Sequence, residues 1–344
     1  MDPALQRYQK QILFTGIGED GQQRLLNSSA LLVGCGALGS VIADQLVRAG
    51  VGKLRLVDRD FVETNNLQRQ VLYDEQDVAD QLPKAVAAAR KLARINSTVQ
   101  VEPVVADLNR HNVLELMQDV DVVLDGTDNF ETRFLVNDAA LELGTPWING
   151  GCVGSHGQVM TIIPGTTACF RCLIPSSPQA GATETCDTAG VLAPAVNIVS
   201  SLQVIDALKL LTGQADQIES VLTVVDVWDG TWRRLKLGDL SKQSDCPACR
   251  RGERAWLRGE AGSQTTVLCG RNAVQVSPAD REPLSLDELA ERLDPFGSVS
   301  ANPYLIKFSV PPNEMTVFRD GRAIVKGTED AAVARSLYAK YIGH

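Results

Sequence analysis

The stretch 31–60, LLVGCGALGSVIADQLVRAGVGKLRLVDRD, constrains this chain more than any other. A short apolar run ends in Gly34-Cys35-Gly36-Ala37-Leu38-Gly39, an apolar-periodic segment follows to Ala49, and a second apolar run closes on Asp58. The order reads strand, glycine turn, helix, strand. Gly34 permits the tight turn, Gly36 lets a phosphate approach the backbone, and Gly39 lets the helix lie close to the strand. A nucleotide phosphate then sits at the positive helix N-terminus, and Asp58, about 20 residues on, is placed to accept from ribose hydroxyls. The pattern alone does not say which nucleotide.

Charge and composition remove several classes. A net charge of -9 argues against nucleic acid, whose binders carry a basic patch. The chain starts Met1-Asp2-Pro3 without a basic n-region, and no apolar run approaches about 18 residues, so neither secretion nor membrane insertion is expected. A cytoplasmic protein is the expectation. In a reducing compartment its eight cysteines read as metal ligands or thiols, not as a disulfide framework.

Strands and helices alternate through the first 150 residues: strands at 99–105 and 120–125, helices at 85–95, 110–118 and 130–143. This predicts an α/β fold with a doubly wound, mostly parallel sheet. Ligands collect beyond the carboxyl ends of such strands, and Gly34 to Gly39, Asp58 and Asp128 all fall there. The polar run 59–70 is too long for a plain turn and reads as a functional loop, followed by Lys84 in the first turn of a helix. Further on come a strand at 158–163, an exposed Ser/Pro/Gly-rich stretch at 175–188, a helix at 194–211 and strands at 221–227 and 231–237. Residues 251–263 read as a linker. A small α+β region at 264–344 holds a strand at 265–276 that includes Cys269, a helix at 285–293 capped by Ser285, an Asp320-Gly321 hairpin and a final helix at 329–341.

Two C-x-x-C pairs, Cys169/Cys172 and Cys246/Cys249, offer four thiolates. Four sulfurs close a tetrahedral shell with no open position, the signature of structural zinc.

Taken together, RYQKQ at 7–11, GCGALG, Asp58 with Asp60, NLQRQ at 66–70, PK at 83–84, GTDN at 126–129, the two C-x-x-C pairs and ETCDTAGVLAP at 184–194 resemble the ThiF/MoeB/HesA family, bacterial relatives of ubiquitin-activating enzymes. The resemblance spans about 5–250. It implies a Rossmann-like domain that binds ATP and Mg2+ and adenylates the C-terminal Gly-Gly carboxylate of a small ubiquitin-like sulfur-carrier protein, releasing pyrophosphate. It also implies a homodimer, with a sulfur-donor protein as a further candidate partner. Carried onto this chain, Arg69 and Lys84 supply cations, Asn66 a phosphate or metal-water contact, Asp58 and Asp60 the ribose side, and Asp128 the Mg2+ ligand. Lys10 stands where the family has an arginine that reaches a neighbouring subunit's ATP; lysine lacks the bidentate fork, and Arg7 is the other cation available. Cys186 matches a family cysteine implicated in a covalent link to the carrier, the alternative being an inert exposed thiol. Extended ThiF-like proteins carry a comparable C-terminal segment, which points to a ThiS-like carrier of thiamine thiazole biosynthesis over a MoaD-like carrier of molybdopterin biosynthesis.

A rival of another class is an NAD-dependent oxidoreductase, since the glycine loop and Asp58 suit NAD equally well. Its proton donor would have to come from His111, His156 or His344, and Arg69, Lys84 and Asp128 would go unused. A non-catalytic adaptor would likewise have no use for that residue set.

Overall fold

Strands β1 (Ser29–Val33), β2 (Lys53–Asp58), β3 (Gln100–Val105), β4 (Val122–Asp125), β5 (Trp147–Val153), β6 (His156–Ile162), β7 (Val221–Asp226) and β8 (Thr231–Lys236) form one sheet in a computed structural model of the chain. The structure describes residues 3–178, 189–238, 240, 245–261, 266–268, 272–276 and 284–342. Strand order is β3-β2-β1-β4-β5-β6-β7-β8. The pairs from β3 to β5 are parallel, and β5 to β8 form an antiparallel meander. The central strands β1 and β4 are buried along nearly all their length and apolar except at Ser29 and Asp125, because helices cover both faces of a parallel sheet. The chain runs outward from β1 to β3, then returns to continue from β4. That reversal leaves a crevice between the carboxyl ends of β1 and β4, where such sheets bind ligands.

The helix Ala193–Leu211 is unusually apolar. At 19 residues with mean hydropathy 1.3, it is long and apolar enough to cross a membrane by length and composition. Here it is a core helix: Val196, Val199, Val204 and Ala207 are buried, Ser200 Oγ donates to the Leu38 carbonyl (3.1 Å), and Gln203 Nε2 donates to the Asp125 carbonyl (2.8 Å).

By contact the chain divides into two units, Met1–Ala261 and Gly262–His344. Residues 251–261 of the segment expected as a linker belong to the first of them. Trp256 stacks on Phe134 with ring centroids 4.9 Å apart, and its backbone N–H donates to the buried Asp138 carboxylate (3.0 Å). Charged residues around Trp256 gave the stretch a solvated look, but one half-buried, ring-stacked indole outweighs them.

The second unit has strands β9 (Thr266–Leu268), β10 (Ala273–Val276), β11 (Ser298–Ala301), β12 (Leu305–Val310), β13 (Asn313–Phe318) and β14 (Ala323–Lys326), in the order β11-β12-β13-β14-β10-β9. The expected single strand at 265–276 is instead the antiparallel pair β9 and β10, and Cys269 lies outside the described residues. The Asp320-Gly321 turn joins β13 to β14 as expected, with Gly321 at φ +80°. Ser285 caps Leu286–Leu293 and Asp330 caps Ala331–Tyr341; both helices cover a core of Val274, Ile306, Phe308, Val317 and Val325.

Candidate active site

Three glycines build the floor of the crevice. Gly34 has φ +87°, and a Cβ there would lie 2.8 Å from the Gly126 carbonyl carbon and oxygen. A Cβ on Gly39 or on Gly126 would overlap the Gly34 carbonyl oxygen. The loop, the helix Ala37–Ala49 and the end of β4 therefore meet as bare backbone. Gly36 differs, since nothing comes closer than 3.9 Å to a Cβ placed on it. The open space lies at the first turn of a 13-residue helix whose leading N–H groups favour an anion.

Asp58 ends β2 beside that loop. Its Oδ2 accepts from the Cys35 N–H and its Oδ1 from the Asp60 N–H, both at 2.6 Å. Each oxygen retains a lone pair that can accept a further hydrogen bond. Burial pushes the Asp58 carboxyl above its ordinary range, opposed by the Lys84 charge and reinforced by Asp60. Lys84 is buried at the start of the helix Lys84–Ile95, with Nζ 3.3 Å from Asp60 Oδ2. A buried lysine at a helix N-terminus is doubly disfavoured, and Asp60 compensates it.

Arg69 is partly buried and donates from Nη1 to the Asn65 carbonyl (2.8 Å); among the described residues no other partner engages its guanidinium. Asn66 is engaged within its own turn. It is buried, its Oδ1 accepts from the Glu63 N–H (3.1 Å) and its Nδ2 donates to Asn65 (2.9 Å), so its side chain closes the turn that carries Arg69. Asp128 lies just past β4, exposed and without a hydrogen-bond partner among the described residues. Capping of the following helix falls to Asn129, which accepts from the Thr132 N–H (2.8 Å). Arg7 is far from this group. It donates to the Ile95 carbonyl (2.7 Å), at the opposite end of the helix begun by Lys84 and about 17 Å along its axis. Lys10 is exposed on the adjoining short helix, and Cys186 lies outside the described residues.

Two residues of the site left no sequence signal. Arg59 sits 3.1 Å from Asp107 and 3.9 Å from Asp60. Desolvation opposes its charge, but Asp107, Asp60, Asp128 and Asp58 together more than offset this, so its protonated form is favoured beyond the ordinary arginine. It is the counter-ion of the whole acidic group. Tyr73 donates its hydroxyl to the Cys35 carbonyl (2.7 Å) and approaches the Lys84 carbonyl (3.2 Å), tying the glycine loop to the lysine helix. Burial, then the Asp58 charge, pushes the Cys35 thiol well up, which leaves it protonated and unreactive.

The second constellation is sulfur. The Sγ atoms of Cys169, Cys172, Cys246 and Cys249 lie within 4.8 Å of one another, with closest pairs at 3.4, 3.6 and 3.7 Å. A tetrahedral zinc with Zn–S near 2.3 Å sets its sulfurs about 3.8 Å apart, so the cluster is compatible with zinc. Mutual hydrogen bonds, with Cys172 first, push Cys169 up, while those led by Cys169 push Cys246 down.

The profile of the ThiF family matches residues 8–248. The chain belongs to the ThiF family. Over 338 residues it is 46% identical to the sulfur carrier protein ThiS adenylyltransferase of Bacillus subtilis, covering 98% of this chain and 99% of that one. It is 38% identical over 250 residues to the sulfur carrier protein adenylyltransferase of Thermus thermophilus, covering 71% of this chain and 90% of the relative. Among solved structures, E. coli MccB with succinimide superposes at a TM-score of 0.59 with 23% identity, covering 71% of this chain and 73% of that one; at that identity the likeness concerns the fold alone. The ThiF-family region thus contains the crevice, the acidic group and three of the four clustered cysteines, with Cys249 one position past its end.

Proposed function

We propose that this chain adenylates the C-terminal carboxylate of a ubiquitin-like sulfur carrier of the ThiS type, using ATP and releasing pyrophosphate. The observation that carries this reading is the 46% identity to the Bacillus ThiS adenylyltransferase across 98% of this chain, which includes the second unit. That relative's ThiS-type carrier, at the higher identity, favours a ThiS-like over a MoaD-like carrier for this chain.

In this reading ATP lies with its phosphates over Gly36 and its ribose at Asp58, while Arg69 and Lys84 balance the phosphoryl charge. Asp128 is a hard oxygen donor, exposed and unengaged, and would hold Mg2+. Bound there, Mg2+ would neutralise charge on the phosphates. The carrier carboxylate arrives ionised, so its attack on the α-phosphorus needs no general base, and the chain's own part is to orient the reactants and stabilise charge. The four cysteines would hold structural zinc, closing the far part of the domain. Support for a protein partner comes from β8, the edge of the sheet, with exposed Trp232 and Leu235 among Arg233, Arg234 and Lys236 and with Trp228 exposed before it. Arg7 is turned away from its own crevice, so Arg7 and Lys10 belong by this reading to the site of a second copy in a homodimer. A sulfur-donor protein would then act on the carrier adenylate, and Cys186→Ala is expected to adenylate the carrier yet hold no reducible adduct.

The test is ATP–pyrophosphate exchange run side by side with a ThiS-like and a MoaD-like carrier. Exchange with the ThiS-like carrier is expected. No exchange with either would end the proposal, and exchange with the MoaD-like carrier alone would reassign the pathway.

A further inference from the structure

Beneath Asp128 lies a buried polar network that the proposed chemistry does not use. Asp125, the last residue of β4, accepts on Oδ1 from the Thr127 N–H (2.8 Å) and Thr127 Oγ1 (2.6 Å). Its Oδ2 accepts from Arg133 Nε (2.9 Å) and Asn149 Nδ2 (2.7 Å). Arg133 Nη2 in turn donates to the Thr127 carbonyl (2.8 Å) and to the Gly150 carbonyl on β5 (2.9 Å). Asp125, Arg133, Asn149 and the neighbouring Gln203 are all buried.

A buried ion pair is weak evidence for stability, because desolvation offsets its attraction and apolar side chains would serve as well. The placement of this one has a more specific consequence. Both peptide groups of Thr127 are fixed, the N–H by Asp125 and the carbonyl by Arg133. On the other side Asn129 is fixed as the cap of Phe130–Leu143. Asp128 alone stands free between two immobilised neighbours, its carboxylate exposed above the crevice end of β4.

We propose that Arg133 is the positioning residue of the cation site: by bridging Asp125 to the Thr127 and Gly150 carbonyls, it holds the backbone that aims Asp128. The inference rests on the reading of Asp128 as the Mg2+ ligand. A ligand whose backbone is free to turn binds metal less well, and loss of an outer partner typically weakens metal affinity by about 10- to 100-fold. A purely structural Arg133 would change thermal stability and leave the metal requirement where it was.

The experiment uses the full chain with a non-hydrolysable ATP analogue and reads Mn2+ binding by electron paramagnetic resonance, alongside the Mg2+ dependence of exchange. Arg133→Met is expected to weaken Mn2+ binding by about ten-fold or more, and Arg133→Lys by less, with affinity for the metal-free analogue changed by no more than about two-fold. Should Arg133→Met fail to fold because Asp125 is left as an uncompensated buried charge, the double variant Asp125→Asn/Arg133→Met removes both charges and decides the matter. A folded variant lacking the guanidinium that binds Mn2+ within about two-fold of the parent overturns the proposal. Asp128→Ala is the reference. If it weakens Mn2+ binding and the Arg133 variants do not, the positioning role alone falls; if it leaves Mn2+ binding unchanged, the cation does not sit on Asp128 and both fall.

Discussion

The crevice and the cysteine cluster answer one packing problem in opposite ways. In the cluster each sulfur faces its three fellows, backed by Phe170 and Ala248, and no ligand atom is left over for anything else. In the crevice each group is held by part of its bonding capacity and keeps the remainder. Asp58 uses one lone pair on each oxygen, Arg69 one N–H, and Asp128 nothing among the described residues. A site that only braces a fold can close on itself, whereas a site that must receive a substrate keeps unpaired groups and needs other residues to hold them still.

The largest expected effect separates the two regions by metal removal. Structural zinc contributes on the order of 10 kcal/mol of apparent folding energy, so chelation should collapse the melting transition and change the fluorescence of Trp256, which packs against the cysteine region. An unchanged melt after chelation, or less than one zinc per chain by elemental analysis, would erase the contrast. Gly39→Ala acts on the other region. Its Cβ would overlap the Gly34 carbonyl oxygen, so a cost of about 1–3 kcal/mol and weakened ATP binding are expected, with zinc content unaltered. ATP affinity at the parental level would show that the loop does not need the close contact. Tyr73→Phe should cost about 1 kcal/mol and raise the KM for ATP, because the tether between the Cys35 and Lys84 carbonyls is lost; a stability change with no KM change would make Tyr73 purely structural.

The smallest effect is a pH dependence. Burial raises the folded-state pKa of Asp58 above its unfolded value, so the native state loses stability as pH rises through that raised pKa. Asp58→Asn carries no such charge. The variant should match the parent in acid, where both are neutral, and exceed it at neutral pH while binding ATP more weakly. Melting curves at several pH values check this, and a variant less stable than the parent at neutral pH would mean that the charge itself holds the loop.

Local features of this kind were readable before any fold was seen. Gly34, Gly36 and Gly39 occur within one turn and helix start, the C-x-x-C spacings fix ligand pairs, and Ser285 marks its helix N-terminus, because each depends on neighbours a few residues away. The packing of Trp256 within the segment expected as a linker left no trace in the sequence because it depends on Phe134 and Asp138, more than a hundred positions earlier. The turn-closing bonds of Asn66 were illegible for a related reason: a polar side chain in a loop looks the same in sequence whether or not it closes its own turn.

By itself the sequence determined the parallel half of the sheet, the glycine loop, the strand-end carboxylates and the four thiols, since periodicity, backbone permissiveness and ligand spacing are short-range properties of the chain. Only the tertiary structure decided what holds those groups in place: Arg59 among four carboxylates, Tyr73 across two carbonyls, and Arg133 between β4 and β5. Hydrogen bonds between residues distant in the chain impose no period on it, and a buried charge can be told from a solvated one only after the fold has brought its partners together.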